Sequence, residues 1–230
     1  MAYETPLTIA EVMSDISANK YVFPSIQREY VWSTEQIETL FDSLMRDYPI
    51  GTFLFWEINK DHVKDYDFYG FIRNYHENKN VHNQKLDLKG SGGITAVLDG
   101  QQRLTSIYLG LKGTYAYKLK YMARNNKNAY PVRKLYLNIL SSPLEGNNEY
   151  DFKFLSEKEV RNDQNTYWFE VGKILEMHED GDVFMYVNEN ISYSDKYTYT
   201  KEQSKFAINA LSRLYNVCLL YTSPSPRDTR

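Results

Sequence analysis

The feature that most constrains this chain is the pentapeptide Asp99-Gly100-Gln101-Gln102-Arg103, which separates two stretches of different periodicity. The residues before it, Ile94 to Leu98, are mostly apolar and have the β-branched content of a short buried strand. The apolar residues after it recur at helical spacing, namely Leu104, Ile107, Tyr108 and Leu111. The pattern therefore predicts a strand, a tight turn and a helix that begins directly after the turn.

The residues of this turn suit the binding of a phosphate group. The first N–H groups of a helix lack partners within the helix, and the helix dipole favours an anion there. Gly100 lets the backbone approach a ligand closely, and Arg103 can bind a phosphate with two parallel hydrogen bonds. Asp99 can hold a metal ion or orient a water molecule, while Gln101 and Gln102 can donate and accept hydrogen bonds. The alternative interpretation is a turn that serves packing alone.

Composition excludes several classes of protein. The formal charge of −3 gives no overall attraction to nucleic acid, and the single cysteine, Cys218, excludes a disulfide framework. No secretory signal opens the chain and no apolar run approaches membrane-spanning length, so we expect a cytoplasmic protein without a membrane partner. The four histidines share no short ligand spacing, which argues against a zinc site; they are His62, His76, His82 and His178.

The rest of the chain reads as a mixture of helices and strands. Capping-box pairs, Thr8 with Glu11 and Ser33 with Gln36, predict two early helices. Strands are predicted over Tyr21–Phe23, Thr52–Ile58 (buried), Lys134–Leu140, Asp151–Leu155 and Tyr167–Val171, and a late helix over Ile208, Leu211, Leu214 and Tyr215. Residues 59–93 are polar and lack a clear period, so we interpret them as an insertion. The prediction is an α+β domain over residues 1–140 and a more helical, incomplete extension over 141–217.

The last residues have a different character. Residues 218–230 resemble a translated adapter from a sequencing library. We therefore expect the natural sequence of this fragment to stop near Val217, and residues 218–230 are left out of the functional argument.

Two stretches suggest contacts with nucleic acid. The first is Gln27-Arg28-Glu29-Tyr30-Val31-Trp32, in which Arg28 can bind phosphate and Tyr30 and Trp32 can stack on bases. The second runs from Gly100 to Leu144 and contains eight basic residues but no acidic ones; Lys118, Lys120 and Arg124 are its candidate DNA contacts. The plain alternatives are core packing for the aromatic residues and a solvated face for the lysines.

The motifs together resemble a known family. Ile26 to Trp32, then Tyr48-Pro49-Ile50-Gly51-Thr52, then Leu98 to Thr105 occur in the order found in the N-terminal domain of GmrSD-type, modification-dependent restriction systems. That domain is similar to the ParB/sulfiredoxin superfamily, whose members hold nucleotide phosphates at a turn before a helix. The resemblance implies an α+β fold of that type. Sulfiredoxins carry a cysteine where this chain has Gln101, so reduction of cysteine sulfinate is not expected.

The resemblance also implies an activity and its residues. Asp99, Gln101, Gln102 and Arg103 would hydrolyse a nucleoside triphosphate with Mg²⁺ on Asp99, and Gly100, Arg103, Gln27 and Arg28 would bind the nucleotide. Hydrolysis would gate cleavage of DNA, which can carry modified bases, by a nuclease domain in the same or a partner chain. No His-rich nuclease motif follows in the remaining sequence. The alternative is a switch module that binds nucleotide or modified DNA without turnover.

Overall fold

The computed structural model describes residues 7–25, 29–79, 82–88, 92–144 and 146–220. Five α-helices lie in these ranges: α1 (Ile9–Ser17), α2 (Thr34–Met45), α3 (Gln101–Leu111), α4 (Asp180–Val187) and α5 (Lys201–Tyr215). Shorter 3-10 or π-helical segments join them, including Asn216–Leu220 at the end of α5. Among the described helices, none combines the length and the apolar character needed to cross a membrane.

Local side-chain bonds fix where the first two helices begin. The Thr8 hydroxyl accepts a hydrogen bond from the Glu11 N–H at 3.2 Å, and the Ser33 hydroxyl accepts one from the Gln36 N–H at 3.4 Å. In each case the acidic or amide side chain returns a bond to the N-cap backbone. Both predicted capping boxes are confirmed, because this interaction depends on residues only three positions apart.

A five-stranded sheet carries the pentapeptide. Its strands are β1 (Tyr21–Pro24), β2 (Leu54–Ile58), β3 (Phe68–Tyr69), β5 (Lys85–Leu86) and β6 (Ile94–Asp99), in the order β2-β6-β1-β3-β5. Strands β1 and β6 are parallel, while the other pairs are antiparallel. Two small sheets accompany it: β4 (Asn74–His76) beside β7 (Thr114–Ala116), and β8 (Lys134–Asn138) between β9 (Phe152–Leu155) and β10 (Trp168–Glu170).

The main core lies on the helix-covered side of the five-stranded sheet. Its buried residues run from Met13 in α1 to Cys218 after α5, so side chains on both sides of residue 140 share it. A smaller cluster covers the other face of the sheet, with Val22, Ala96 and Phe68 among its members. The mixed α+β class and the C-terminal helices are confirmed, whereas the ParB-like fold and the domain boundaries stay predictions.

The prediction that Thr52–Ile58 is a buried strand is wrong in part. The strand begins at Leu54, and Leu54, Phe55 and Trp56 keep 56%, 40% and 36% of their surface exposed. The reason is position, because β2 has a neighbour on one edge only and only Ile58 reaches the smaller apolar cluster. Residues 59–93 contribute the short strands β3, β4 and β5 despite their polar, aperiodic sequence.

Candidate functional site

The pentapeptide follows an irregularity at the end of β6. Along most of the β2–β6 pair the register is constant, with Phe55 opposite Val97, but Leu54 lies opposite Asp99. Leu98 is therefore an extra residue, which makes this a β-bulge. Bulges redirect the side chains around them, and here the Asp99 side chain is 71% exposed. The nearest cation is the Arg103 guanidinium, 3.7 Å from the Asp99 carboxylate.

Gly100 meets two structural demands at once. Its φ of 84° lies in the left-handed region, which side chains with a Cβ rarely adopt. A Cβ at this position would also collide with the ring of Phe53. The close approach predicted at Gly100 is therefore made here by an aromatic side chain of the protein. Sequence reasoning missed Phe53, because it lies in an apolar run that predicts a strand.

The two glutamines bind main-chain groups. The Gln101 amide donates to the Val97 carbonyl at 2.8 Å. Gln102 donates to the Glu29 carbonyl at 2.9 Å and accepts from the Val31 N–H at 3.1 Å. Gln102 thus holds the chain directly after the Gln27-Arg28 pair, whereas Gln27 and Arg28 themselves lie outside the described residues.

Arg103 holds a second distant segment. Its guanidinium donates to the Ile50 carbonyl and, at 2.7 Å, to the Thr52 carbonyl. The guanidinium also lies over the Phe53 ring, 4.8 Å from the ring centroid. Gly51 has φ 84°, and a Cβ there would collide with this guanidinium. The fork that could bind a phosphate is therefore engaged with the Tyr48-to-Thr52 motif in this structure.

The pentapeptide thus joins the three sequence motifs in space. Gln102 contacts the first motif, Arg103 contacts the second, and Gln101 fixes the end of β6. These contacts give a structural reason for the three motifs to occur together. They also support the packing alternative for Gln101, Gln102 and Arg103, and leave Asp99 as the exposed group of the motif.

The helix that follows begins without a side-chain cap. Helices α1, α2 and α5 each start with a capping box, but α3 starts at Gly100, which has no side chain to accept the first N–H groups. Those N–H groups have no acceptor within the helix and carry the positive end of its dipole. An anion beside Asp99 would supply the acceptor.

The structure offers one kind of metal site near the motif. Among the described residues, no three His, Cys, Asp or Glu side chains converge as a metal site. Mg²⁺ bound to a nucleotide usually takes only one or two protein carboxylates and otherwise phosphate oxygens and water. The exposed Asp99 carboxylate fits that donor set.

The aromatic residues predicted to stack on bases are part of the core instead. Tyr30 is 4% exposed, and its hydroxyl lies 2.8 Å from the Ser106 hydroxyl. Burial raises the pKa of Tyr30 above its usual value. Trp32 is half-buried against the core, and its carbonyl accepts a hydrogen bond from Tyr115. The Tyr30 ring has no free face for a base in this structure.

The basic residues of the acid-free stretch divide into two groups. Some are bound within the protein: Arg133 is buried against Glu159 at 3.3 Å, and Lys134 contacts Glu170 at 2.6 Å. The Lys118 ammonium donates to the Leu119 and Met122 carbonyls. Lys120 and Arg124 are exposed. The predicted DNA contacts therefore reduce to the loop that carries Lys120 and Arg124.

Comparison with known proteins identifies relatives. The model of the family described as GmrSD restriction endonuclease, N-terminal domain, matches residues 9–222. An uncharacterised protein of Methanocaldococcus jannaschii is 39% identical over 89 residues, which are 38% of this chain and 14% of that protein. The chain thus aligns with a small part of that longer relative. Because the family model covers nearly all of the described structure, the chain belongs to the family of GmrSD restriction endonuclease N-terminal domains.

Proposed function

We propose that this domain hydrolyses a nucleoside triphosphate and that hydrolysis gates DNA cleavage by a nuclease domain in the same or a partner chain. The observation that carries the proposal is the exposed Asp99 carboxylate beside the uncapped start of α3. A helix start without a cap suits phosphate oxygens, and a free carboxylate suits a metal ion or an attacking water. Membership of a restriction endonuclease family supports the DNA context.

The residues of the motif take different parts in this proposal. The first N–H groups of α3 would bind phosphate oxygens, and Asp99 would hold Mg²⁺ or orient the water. When bound, Mg²⁺ neutralises charge on the phosphate oxygens. Gln102 and Arg103 would keep the first and second motifs at the site through their main-chain bonds. Arg103 has further N–H donors that can face a phosphate while the Ile50 and Thr52 bonds are kept.

A second candidate function is a switch that binds nucleotide or modified DNA without turnover. The engagement of Gln101, Gln102 and Arg103 with main-chain carbonyls favours it, because it removes three of the four side chains proposed for chemistry. Under this alternative, the ligand would change the contacts between the three motifs. The domain would then signal to a nuclease by shape alone.

Phosphate release distinguishes the two functions. The folded 230-residue chain is incubated with each of the four common nucleoside triphosphates, with Mg²⁺ or with EDTA. Hydrolysis predicts phosphate release that requires Mg²⁺ and rises in proportion to protein. Folded protein that binds a triphosphate but releases no phosphate supports the switch. Folded protein that binds none of the four contradicts both nucleotide hypotheses.

A further inference from the structure

We propose that the loop between β7 and β8, residues 117–133, is a DNA-binding element in which Tyr121 stacks on a base while Lys120 and Arg124 bind the phosphate backbone. The inference rests on the proposed function only in taking DNA as the partner of this domain. It names a surface that the pentapeptide does not include.

Tyr121 has a conformation and an exposure that packing does not explain. Its φ of 65° places a bulky residue in the left-handed region, at a cost of about 1–3 kcal/mol. Its side chain is fully exposed, at 102% of the reference surface. The other tyrosines of this region pack together, as Tyr75 does on Tyr115 at 4.4 Å. A strained and fully exposed aromatic residue at a loop tip is typical of a contact with another molecule.

The tip of the loop is built rather than loose. The Met122 N–H donates to the Leu119 carbonyl at 3.4 Å, which closes a turn around Tyr121. The Lys118 ammonium donates to the carbonyls of both residues, at 3.2 and 3.1 Å. The Leu119 N–H donates to the Ala129 carbonyl at 2.7 Å, which joins the two sides of the loop. Lys118 therefore stabilises the turn that presents Tyr121.

The charge around the tip suits an anionic polymer. Lys120 and Arg124 lie on either side of Tyr121, and both are exposed. In the described part of the chain, neither of them forms an ion pair with a carboxylate. The loop itself has no acidic residue, and the Glu77 carboxylate beside it accepts the Lys118 N–H at 2.6 Å. Two free cations flanking an exposed aromatic ring match the phosphates and bases of DNA.

The first test measures the affinity of the chain for a fluorescent duplex DNA by anisotropy, without nucleotide. Base stacking predicts that Tyr121→Ala weakens binding about fivefold or more, because losing an aromatic–base stack typically has an effect of this size. Tyr121→Trp should stay within about twofold, since an indole also stacks. Tyr193→Ala is the matched control, because Tyr193 is 80% exposed on a different part of the surface. Equal affinities for Tyr121→Ala and the wild type overturn the proposal, as does a wild type that binds no DNA.

The second test uses the salt dependence of binding. Replacing Lys120 and Arg124 together by Gln should reduce the slope of log affinity against log salt by up to about 1.8, or 0.9 for each lost phosphate contact. Lys118→Gln should leave that slope unchanged, because its ammonium serves the turn. An unchanged slope in the double variant overturns the phosphate contacts. Phosphate release is measured separately, so a protein that binds DNA through this loop but hydrolyses nothing contradicts only the proposed hydrolysis.

Discussion

Gly100 is constrained by its backbone and by its neighbour, and the two effects can be separated. Gly100→Ala adds a Cβ at φ 84° and directs it into the Phe53 ring. Gly146→Ala adds a Cβ at φ 97° with no atom within 4 Å. We expect both substitutions to lower the free energy of unfolding by about 1–3 kcal/mol through backbone strain, with an added loss at Gly100 from displacement of the ring. Urea denaturation measures both.

The Phe53→Ala background provides the control for this prediction. Removing the ring removes the collision, so Gly100→Ala should cost less in that background than in the wild type. If Gly146→Ala is as costly as Gly100→Ala, and Phe53→Ala gives no relief, the close packing at Gly100 is contradicted.

Gln102 acts on main-chain groups far away in sequence. Gln102→Met has a similar size but cannot accept from the Val31 N–H or donate to the Glu29 carbonyl. We expect hydrogen exchange at the Val31 amide to become about tenfold faster, which corresponds to losing a bond of about 1.4 kcal/mol. The Ser33 amide, held by Gln36, is the internal reference and should not change. Unchanged protection at Val31 would argue against the contact.

The residue scale also shows what a sequence can and cannot predict about this site. The capping box of Ser33 depends on Gln36, three positions away, and was predictable. The partners of Gln102 are 71 and 73 positions away, so only the folded chain reveals them. For the same reason Arg103 suggested a phosphate ligand from its chemistry, although its nearest acceptors are the Ile50 and Thr52 carbonyls. Gln27 and Arg28 stay untested.

At the scale of elements, α2 connects the first motifs to the second small sheet through two carboxylates. Glu38 accepts the Phe154 N–H of β9 at 2.8 Å, and the buried Asp42 accepts the N–H groups of Glu149 and Tyr150 at 2.9 Å. The two residues are four positions apart and so lie on one face of the helix. A helix that supplies acceptors to the edge of a strand fixes the relative positions of the two elements.

Burial gives Glu38 a pH dependence that can be measured. Desolvation raises the pKa of Glu38 from 4.5 to about 7, although the Phe154 N–H and Lys153 oppose the shift. A raised pKa in the folded state means that stability falls as pH rises from about 4.5 to 7. Glu38→Gln avoids that loss, so the variant should be more stable than the wild type at pH 8, by order 1 kcal/mol after solvent screening, and similar at pH 4.5.

The neighbouring Glu35 is the control for this titration. Hydrogen bonds from Ser33 and its own backbone lower the pKa of Glu35. Its ionised form therefore adds stability that disappears as pH falls through its folded pKa, so Glu35→Gln should be less stable than the wild type at pH 8. Urea denaturation at both pH values gives the two signs. A pH-independent effect of Glu38→Gln would contradict the burial of its charge.

For the whole molecule, the sequence predicted the class of fold but not how its parts meet. Periodicity placed β6, α3, β8 and α5, because each has an apolar pattern of its own. It missed the short strands of residues 59–93, whose two or three residues are too few to show a period. It also predicted β2 as buried, because an edge strand with Phe55 and Trp56 has the same composition as a central one. The packing of residues beyond 140 into the main core follows from distant contacts alone.

The turnover of Asp99→Asn tests the central proposal most directly. The amide keeps the size of the carboxylate but removes the charge that would hold Mg²⁺ or orient water. We expect the variant to bind a nucleoside triphosphate within a few-fold of the wild type, and to release phosphate about 100-fold or more slowly at saturation. The matched control is Asp195→Asn, another exposed aspartate, which should hydrolyse at the wild-type rate. Equal rates for Asp99→Asn and the wild type would contradict a catalytic role for Asp99.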